Sequence, residues 1–226
     1  MATVKTLTCL ANSRKHAGRC VAGMADDGSG QWIRPVSNRS THEVSEHERQ
    51  YADGSDPKVL DIISVPLLRP QPHGFQSENW LLDPEYYWEK TGRAGWGSLL
   101  KLEQHPNTLW TNGNSTYHGC NNRVTADQAD ALPDSLKLIR VDRVTLQVHV
   151  PGAAFNDPKR AVDAHFHHAD CKYILRVTDP EYEQTYLARS DGIYRLNESF
   201  LSVSLSEPHE GYAYKLVAAI IERAKI

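Results

Sequence analysis

Residues 6–38 read TLTCLANSRKHAGRCVAGMADDGSGQWIRPVSN. Two apolar runs, Leu7 to Ala11 and Cys20 to Met24, flank a polar stretch holding Asn12, Ser13, Arg14, Lys15 and Arg19. A Gly-rich turn from Asp26 to Gly30 leads into Trp32-Ile33-Arg34-Pro35-Val36. Apolar runs bounded by turn residues read as strands, which predicts a three-strand meander with a basic first loop. Between Asn12 and Arg39 stand five Lys/Arg (14, 15, 19, 34, 39) against two acids (26, 27), in a chain of net charge −3. The positive charge is local, and the stretch reads as a ligand-facing edge.

Further along, Ser40 to Asp56 is strongly polar and reads as an exposed loop with one helical turn, Ser40 and Glu43 having capping-box spacing. Val59 to Val65 is a β-branched strand, broken by Pro66, Pro70 and Pro72. Asp83-Pro84 signals a short helix over Asp83 to Trp88, and Trp96 to Leu102 reads as a strand. Thr125 and Gln128 cap a small helix that Pro133 stops. Val144, Leu146, Val148 and Val150 then alternate with Arg143, Thr145, Gln147 and His149, the pattern of a half-buried antiparallel strand. Tyr173, Leu175 and Val177 alternate in the same way, as do Leu201, Val203 and Leu205. Tyr212 to Glu222 is apolar on both faces, either a central strand closing a barrel or a terminal helix. The tetrapeptide Asp83-Pro84-Glu85-Tyr86 recurs as Asp179-Pro180-Glu181-Tyr182, each time after a strand-like run. That offset is about the size of one small β-barrel with its capping helix and suggests a duplicated unit.

The runs CLANSRK, GRCVAG and WIRPVS, with LDIISVPL, QSENW, SVSLSEP and GYAYKLVAAII further on, resemble the prokaryotic dual-OB domain family over nearly the whole chain. The resemblance implies a mainly β fold of two OB-like antiparallel β-barrels with a few short helices, divided here as 1–115 and 116–226. It also implies nucleic-acid binding, in the setting of defence against invading genetic elements, with a protein partner from the same system. No catalytic signature accompanies it.

Length and composition agree with a globular protein. The chain has 226 residues, 40% hydrophobic and 23% charged, room for one large domain or two small ones. No apolar run approaches the ~20 residues of a membrane span. The N-terminus lacks an adequate signal-peptide core, so the expected location is the cytoplasm. There Cys9, Cys20, Cys120 and Cys171, with no CxxC pair, would stay reduced.

Candidate binding residues follow from the expected barrels. The loop between the first two strands and the face of strands two and three line an OB groove. That places Asn12, Ser13, Arg14, Lys15 and Arg19 on the loop and Trp32 with Arg34 on one face of the third strand. Cations there would neutralise phosphates and an aromatic would stack a base; taken alone, Trp32 reads as core ahead of ligand contact. Gln76, Glu78 and Asn79, beside Trp80 and Tyr86 to Trp88, could read a splayed base or fasten a loop. Tyr117 to Arg123, with Asn121 and Arg123, is a polar seam. A rival reading is a sensor for a nucleotide or modified base, held between the barrels by Asn79, Asn121, Arg123 and Lys215. His165, His167 and Cys171 resemble metal ligands, but beside the expected hairpin turn Ala169-Asp170 they read more simply as a surface patch. No metal or cofactor is expected. The absence of GxSxG, HExxH, P-loop and GxGxxG motifs argues for a binding protein over an enzyme.

Overall fold

The computed structural model describes residues 3–226, the Phe155 side chain apart. Two compact units emerge: one runs to Leu102 and takes in Pro133–Ser135, the other comprises Glu103–Leu132 and Leu136–Ile226. The main segment of the first unit stops at Leu102, short of the 115/116 division drawn from the sequence, and a short return at Pro133–Ser135 lies beyond it.

The opening meander forms as the sequence implies: β1 (Thr3–Lys15), β2 (Gly18–Ala25) and β3 (Trp32–Val36). Its first connection, however, is only His16-Ala17. Arg14 pairs with Arg19 and Lys15 with Gly18, so the expected basic loop is the far end of a long hairpin. Backbone pairing satisfies N–H and C=O groups that an open loop would leave to water. A bulge between Cys9 and Ala11 bends β1, and Gly23 lies opposite the bend. A Cβ there would sit 2.1 Å from the Thr8 carbonyl oxygen.

Next come α1 (Glu46–Arg49), β4 (Asp61–Pro70), β5 (Asn79–Leu82), β6 (Glu89–Arg93) and α2 (Trp96–Leu102). The sheet order is β1-β2-β3-β5-β4-β6, and β4 also pairs with β1, which closes a five-strand barrel. The β3–β5 pair is parallel. This is the strand order of an OB barrel. Its interior holds Leu7, Cys9, Val21, Ile33, Ile63, Val65 and Trp88.

Four local expectations are corrected in this unit. The capping box is Ser45 with Glu48, not Ser40 with Glu43. The fourth strand does not stop at Pro66: Pro66 pairs opposite Val4, and its carbonyl accepts from Asp83 N–H at 3.0 Å. A register shift between Leu67 and Arg69 absorbs the irregularity. Asp83 opens a turn rather than a helix, because Tyr86 and Tyr87 are exposed and give a helix no buried stripe. Trp96 to Leu102 is a helix rather than a strand: Trp96, Leu99 and Leu102, the inward-facing positions, recur at three-residue spacing.

The second unit contains β7 (Arg123–Thr125), α3 (Ala126–Asp130), β8 (Leu136–Val141), β9 (Val144–His149), β10 (Ala161–His168), β11 (Cys171–Val177), α4 (Pro180–Leu187), β12 (Gly192–Leu196), β13 (Ser199–Leu205) and β14 (Tyr212–Glu222). Thr125 and Gln128 form the capping box of α3 as expected, and β9 alternates buried and half-buried residues along its length. The last strand, β14, is central: it pairs with β13, with β7 and, in parallel, with β11. Sheet order is β12-β9-β10-β11-β14-β13-β8. With β8 and β9 taken as two arms of one strand bent at Asp142-Arg143, the OB order recurs, α4 lying between its third and fourth strands. Strand β12 is an addition at the sheet's end.

The two units thus share a topology, but the repeated tetrapeptide does not mark it. Asp83 follows the fifth strand of the first barrel, whereas Asp179 follows the third strand of the second. Only Asp179 caps a helix, accepting from Glu181 and Tyr182 N–H. Tyr182 and Tyr186, four residues apart, give that helix its buried stripe.

Candidate functional site

In the first unit most of the expected ligand residues outside the hairpin tip turn inward. Asn12 donates from Nδ2 to the Pro57 carbonyl at 2.7 Å, and Ser13 is buried. Arg14 is exposed, while Lys15 and Arg19 are half-buried. The Arg19 backbone exchanges two 2.9 Å hydrogen bonds with Val44, so a loop segment occupies this edge of β2. Trp32 is buried. Arg34 is buried too; its Nη2 lies 2.9 Å from Glu78 Oε1 and donates to Ser135 Oγ at 2.9 Å. Asn79 Oδ1 stands 3.4 Å from Arg34 Nη1, and Asn79 Nδ2 donates to Gln76 Oε1 at 3.2 Å. Arg34 thus joins Gln76, Glu78 and Asn79, which the sequence placed in a separate group, in one internal cluster that fastens Ser135. From Val21 through Ala25, and throughout β3, every residue is buried. Strands two and three of this barrel present almost no open face.

The remaining predicted residues lie in the second unit, where Asn121, Arg123 and Lys215 are held by intramolecular partners. Asn121 donates to Lys172 O at 3.0 Å and accepts from Gly113 N–H at 2.8 Å. The Arg123 guanidinium rests 3.9 Å from the centre of the Tyr212 ring. Lys215 is 1% exposed; its Nζ donates to Thr111 O at 2.8 Å and Asn112 Oδ1 at 3.0 Å. Burial pulls its pKa down to about 7. His165 is half-buried, and burial lowers its pKa as well. His167 is exposed, His168 donates to Pro106 O at 2.8 Å, and Cys171 flanks the hairpin turn. Among the described residues no three His, Cys, Asp or Glu side chains are placed to share a metal ion.

Strands two and three of the second barrel, β10 and β11, do open one face. From His165 onward β10 alternates buried and accessible positions, and β11 does so along most of its length. Register aligns Arg195, Thr145, His165 and Ile174 in one row across β12, β9, β10 and β11. His167 and Lys172 pair in the next row toward the hairpin. On the other side lie Ile193, Gln147, Asp163 and Arg176. Asp163 is neutralised in place: Arg176 Nε donates to it at 2.6 Å and His149 Nε2 lies 2.7 Å away. Beyond His149, rings continue the surface. His118 stands edge-on to His149 at 5.2 Å, and Tyr117, 78% exposed, stands edge-on to His118 at 4.7 Å.

This face brings cationic side chains and aromatic rings together. Lys172, His167, Arg143 and Arg195 are exposed. Exposed rings supply stacking surface beside them. The sequence showed part of it: alternation put Arg143, Thr145, Gln147 and His149 on one face, and Tyr117-His118 was noted as polar seam. The contribution of β12 was not legible, because nothing local in Ile193-Tyr194-Arg195 says which strand it pairs with.

Fold and surface together define an OB-fold binding module. Residues 5–220 match the model of the dual OB-containing domain family, and the chain belongs to that family. No curated protein and no solved structure matches it. No helix among the described residues is long and apolar enough to cross a membrane.

Proposed function

We propose that this protein binds single-stranded nucleic acid on the open face of its second barrel. The supporting observation is the difference between the two barrels: strand three and most of strand two are buried in the first, whereas in the second these strands open a face that carries Lys172 and is flanked by exposed Arg143, Arg195, Tyr117 and His118. Phosphates would meet Lys172, Arg143 and Arg195, and bases would stack on Tyr117 and His118, with modest sequence preference. Arg14, Lys15 and Arg19, at the tip of the first hairpin, are separate candidate phosphate contacts of the first unit. Capture of foreign nucleic acid within a defence system, together with a protein partner, is the setting the family resemblance proposes.

A fluorescence titration with labelled single-stranded DNA and RNA over a salt series tests this. Affinity should fall steeply with salt. Lys172→Glu and Tyr117→Ala should each weaken binding, the latter by about five- to hundredfold, the scale of one stacked base. Unchanged affinity in both variants would defeat the reading.

A small-molecule reading is favoured by a separate feature. A concavity of about 500 Å3 in the first unit is lined by Tyr51, Trp88, Asp56, Lys58, Asp61 and Lys90, among others. Trp88 Nε1 and Asp56 Oδ1 are buried there without hydrogen-bond partners. A planar base offering an acceptor beside a donor would suit them. Thermal shifts with mononucleotides and free bases, absent in Trp88→Phe, would be the sign of such a ligand.

A further inference from the structure

Beside the open face, β12 and β9 enclose a second concavity, of about 550 Å3, lined by Arg143, Val144, Thr145, Arg195, Leu196 and Asn197. We propose that it is a receptor for a phosphomonoester, the terminal phosphate of a nucleic-acid strand; this rests on the binding reading above for its setting.

Charge comes first. The lining contains two guanidinium groups and no carboxylate. The nearest acid along β13's approach, Glu198, is consumed by Arg140 at 2.9 Å and Arg223 at 2.7 Å. Asp163 on the face is held by Arg176 and His149. Asp142 lines a smaller neighbouring depression of about 360 Å3 with Arg143 and His167. The local potential is thus positive in a chain that is acidic overall, and two arginine forks with the Thr145 hydroxyl and the Asn197 amide can donate to one tetrahedral anion.

Topology then selects the kind of phosphate. Strand β12 is the end of its sheet, so a strand of nucleic acid lying across β11, β10 and β9 reaches the edge of its platform here. An internal phosphodiester carries one negative charge, whereas a terminal monoester carries ≈ −1.5 to −2 near neutral pH. Two unpaired arginines match the second better than the first. Arginine rather than lysine also favours a group with several free oxygens, which the planar fork can grip in pairs.

The test compares one oligonucleotide prepared with a 5′-phosphate, with a 3′-phosphate and with neither, at fixed salt, on the full chain, with inorganic phosphate and AMP as competitors. One phosphorylated form should bind about ten- to hundredfold more tightly, the scale of a charge-assisted contact. That increment should vanish in Arg143→Ala and Arg195→Ala and shrink in Arg195→Lys. These side chains are exposed, and unchanged melting temperatures would show that the fold persists. Equal affinity for all three forms, or an increment that survives both alanine variants, overturns the proposal while leaving the binding reading intact. Binding of AMP that depends on Arg195, with no oligonucleotide bound, keeps the phosphomonoester receptor and removes the polymer. No binding of any probe ends both.

Discussion

Arg34 and Glu78 form an ion pair at 2.9 Å in which neither side chain is more than 5% exposed. Two of its atoms, Arg34 Nε and Glu78 Oε2, have no hydrogen-bond partner. A pair so placed contributes little net stability, yet losing one member strands a buried charge. Arg34→Ala or Glu78→Ala should each cost about 3–5 kcal/mol in urea unfolding. Arg34→Met with Glu78→Leu should cost far less than the sum of the singles. If either single change left the fold at full stability but removed oligonucleotide binding, Arg34 would belong to the ligand site after all.

Lys215 makes stability depend on pH in a defined direction. Its folded pKa is about 7 against an ordinary 10.5, so between those values the unfolded chain binds the extra proton. Stability should therefore rise as pH increases from about 7 toward 10.5 through this group. Lys215→Met should flatten that slope in thermal unfolding followed by circular dichroism. An identical slope in the variant would place the charge elsewhere.

The two copies of Asp-Pro-Glu-Tyr predict unequal costs. Asp179 caps α4 and also accepts from Ile220 N–H at 3.1 Å. Asp83 accepts from Glu85 N–H at 3.2 Å in a simple turn. Asp179→Ala should cost about 2 kcal/mol and Asp83→Ala about 1 kcal/mol or less. Chemical denaturation of both variants, run side by side, makes the comparison.

The β10–β11 hairpin turns through Ala169 (φ 47°) and Asp170 (φ 61°), both in the left-handed region. A two-residue turn of this kind prefers Asn-Gly, since a Cβ at positive φ is crowded by the backbone. Replacing Ala169-Asp170 by Asn-Gly should raise stability by about 1 kcal/mol without moving oligonucleotide affinity. A loss of stability would mean that the Asp170 side chain does more than close the turn.

Much of the barrel plan was legible locally. The meander, the capped helix at Thr125 and the alternation in β9 and β11 follow from spacing within a few residues, which fixes where a side chain must point, whereas β13, expected to be half-buried, is buried on both faces from Ser199 to Val203. Errors fell where a second element decides. Trp96 to Leu102 fits either period until burial selects one, and Pro66 reads as a breaker until Val4 and Asp83 supply its neighbours. Gln76, Glu78 and Asn79 read as one polar cluster in the sequence, but neither their contact with Arg34 nor whether such a group faces water or the interior has a signature in composition.

By itself the chain determined individual strands and turns, because alternation and turn chemistry act over short range, while its resemblance to the dual-OB family implied two barrels. Tertiary structure alone decided which barrel offers a surface. Burial depends on what lies across a face, and pairing across long sequence distances buried Arg34, Glu78 and Lys215 while bringing Arg195 beside Thr145 and Arg143.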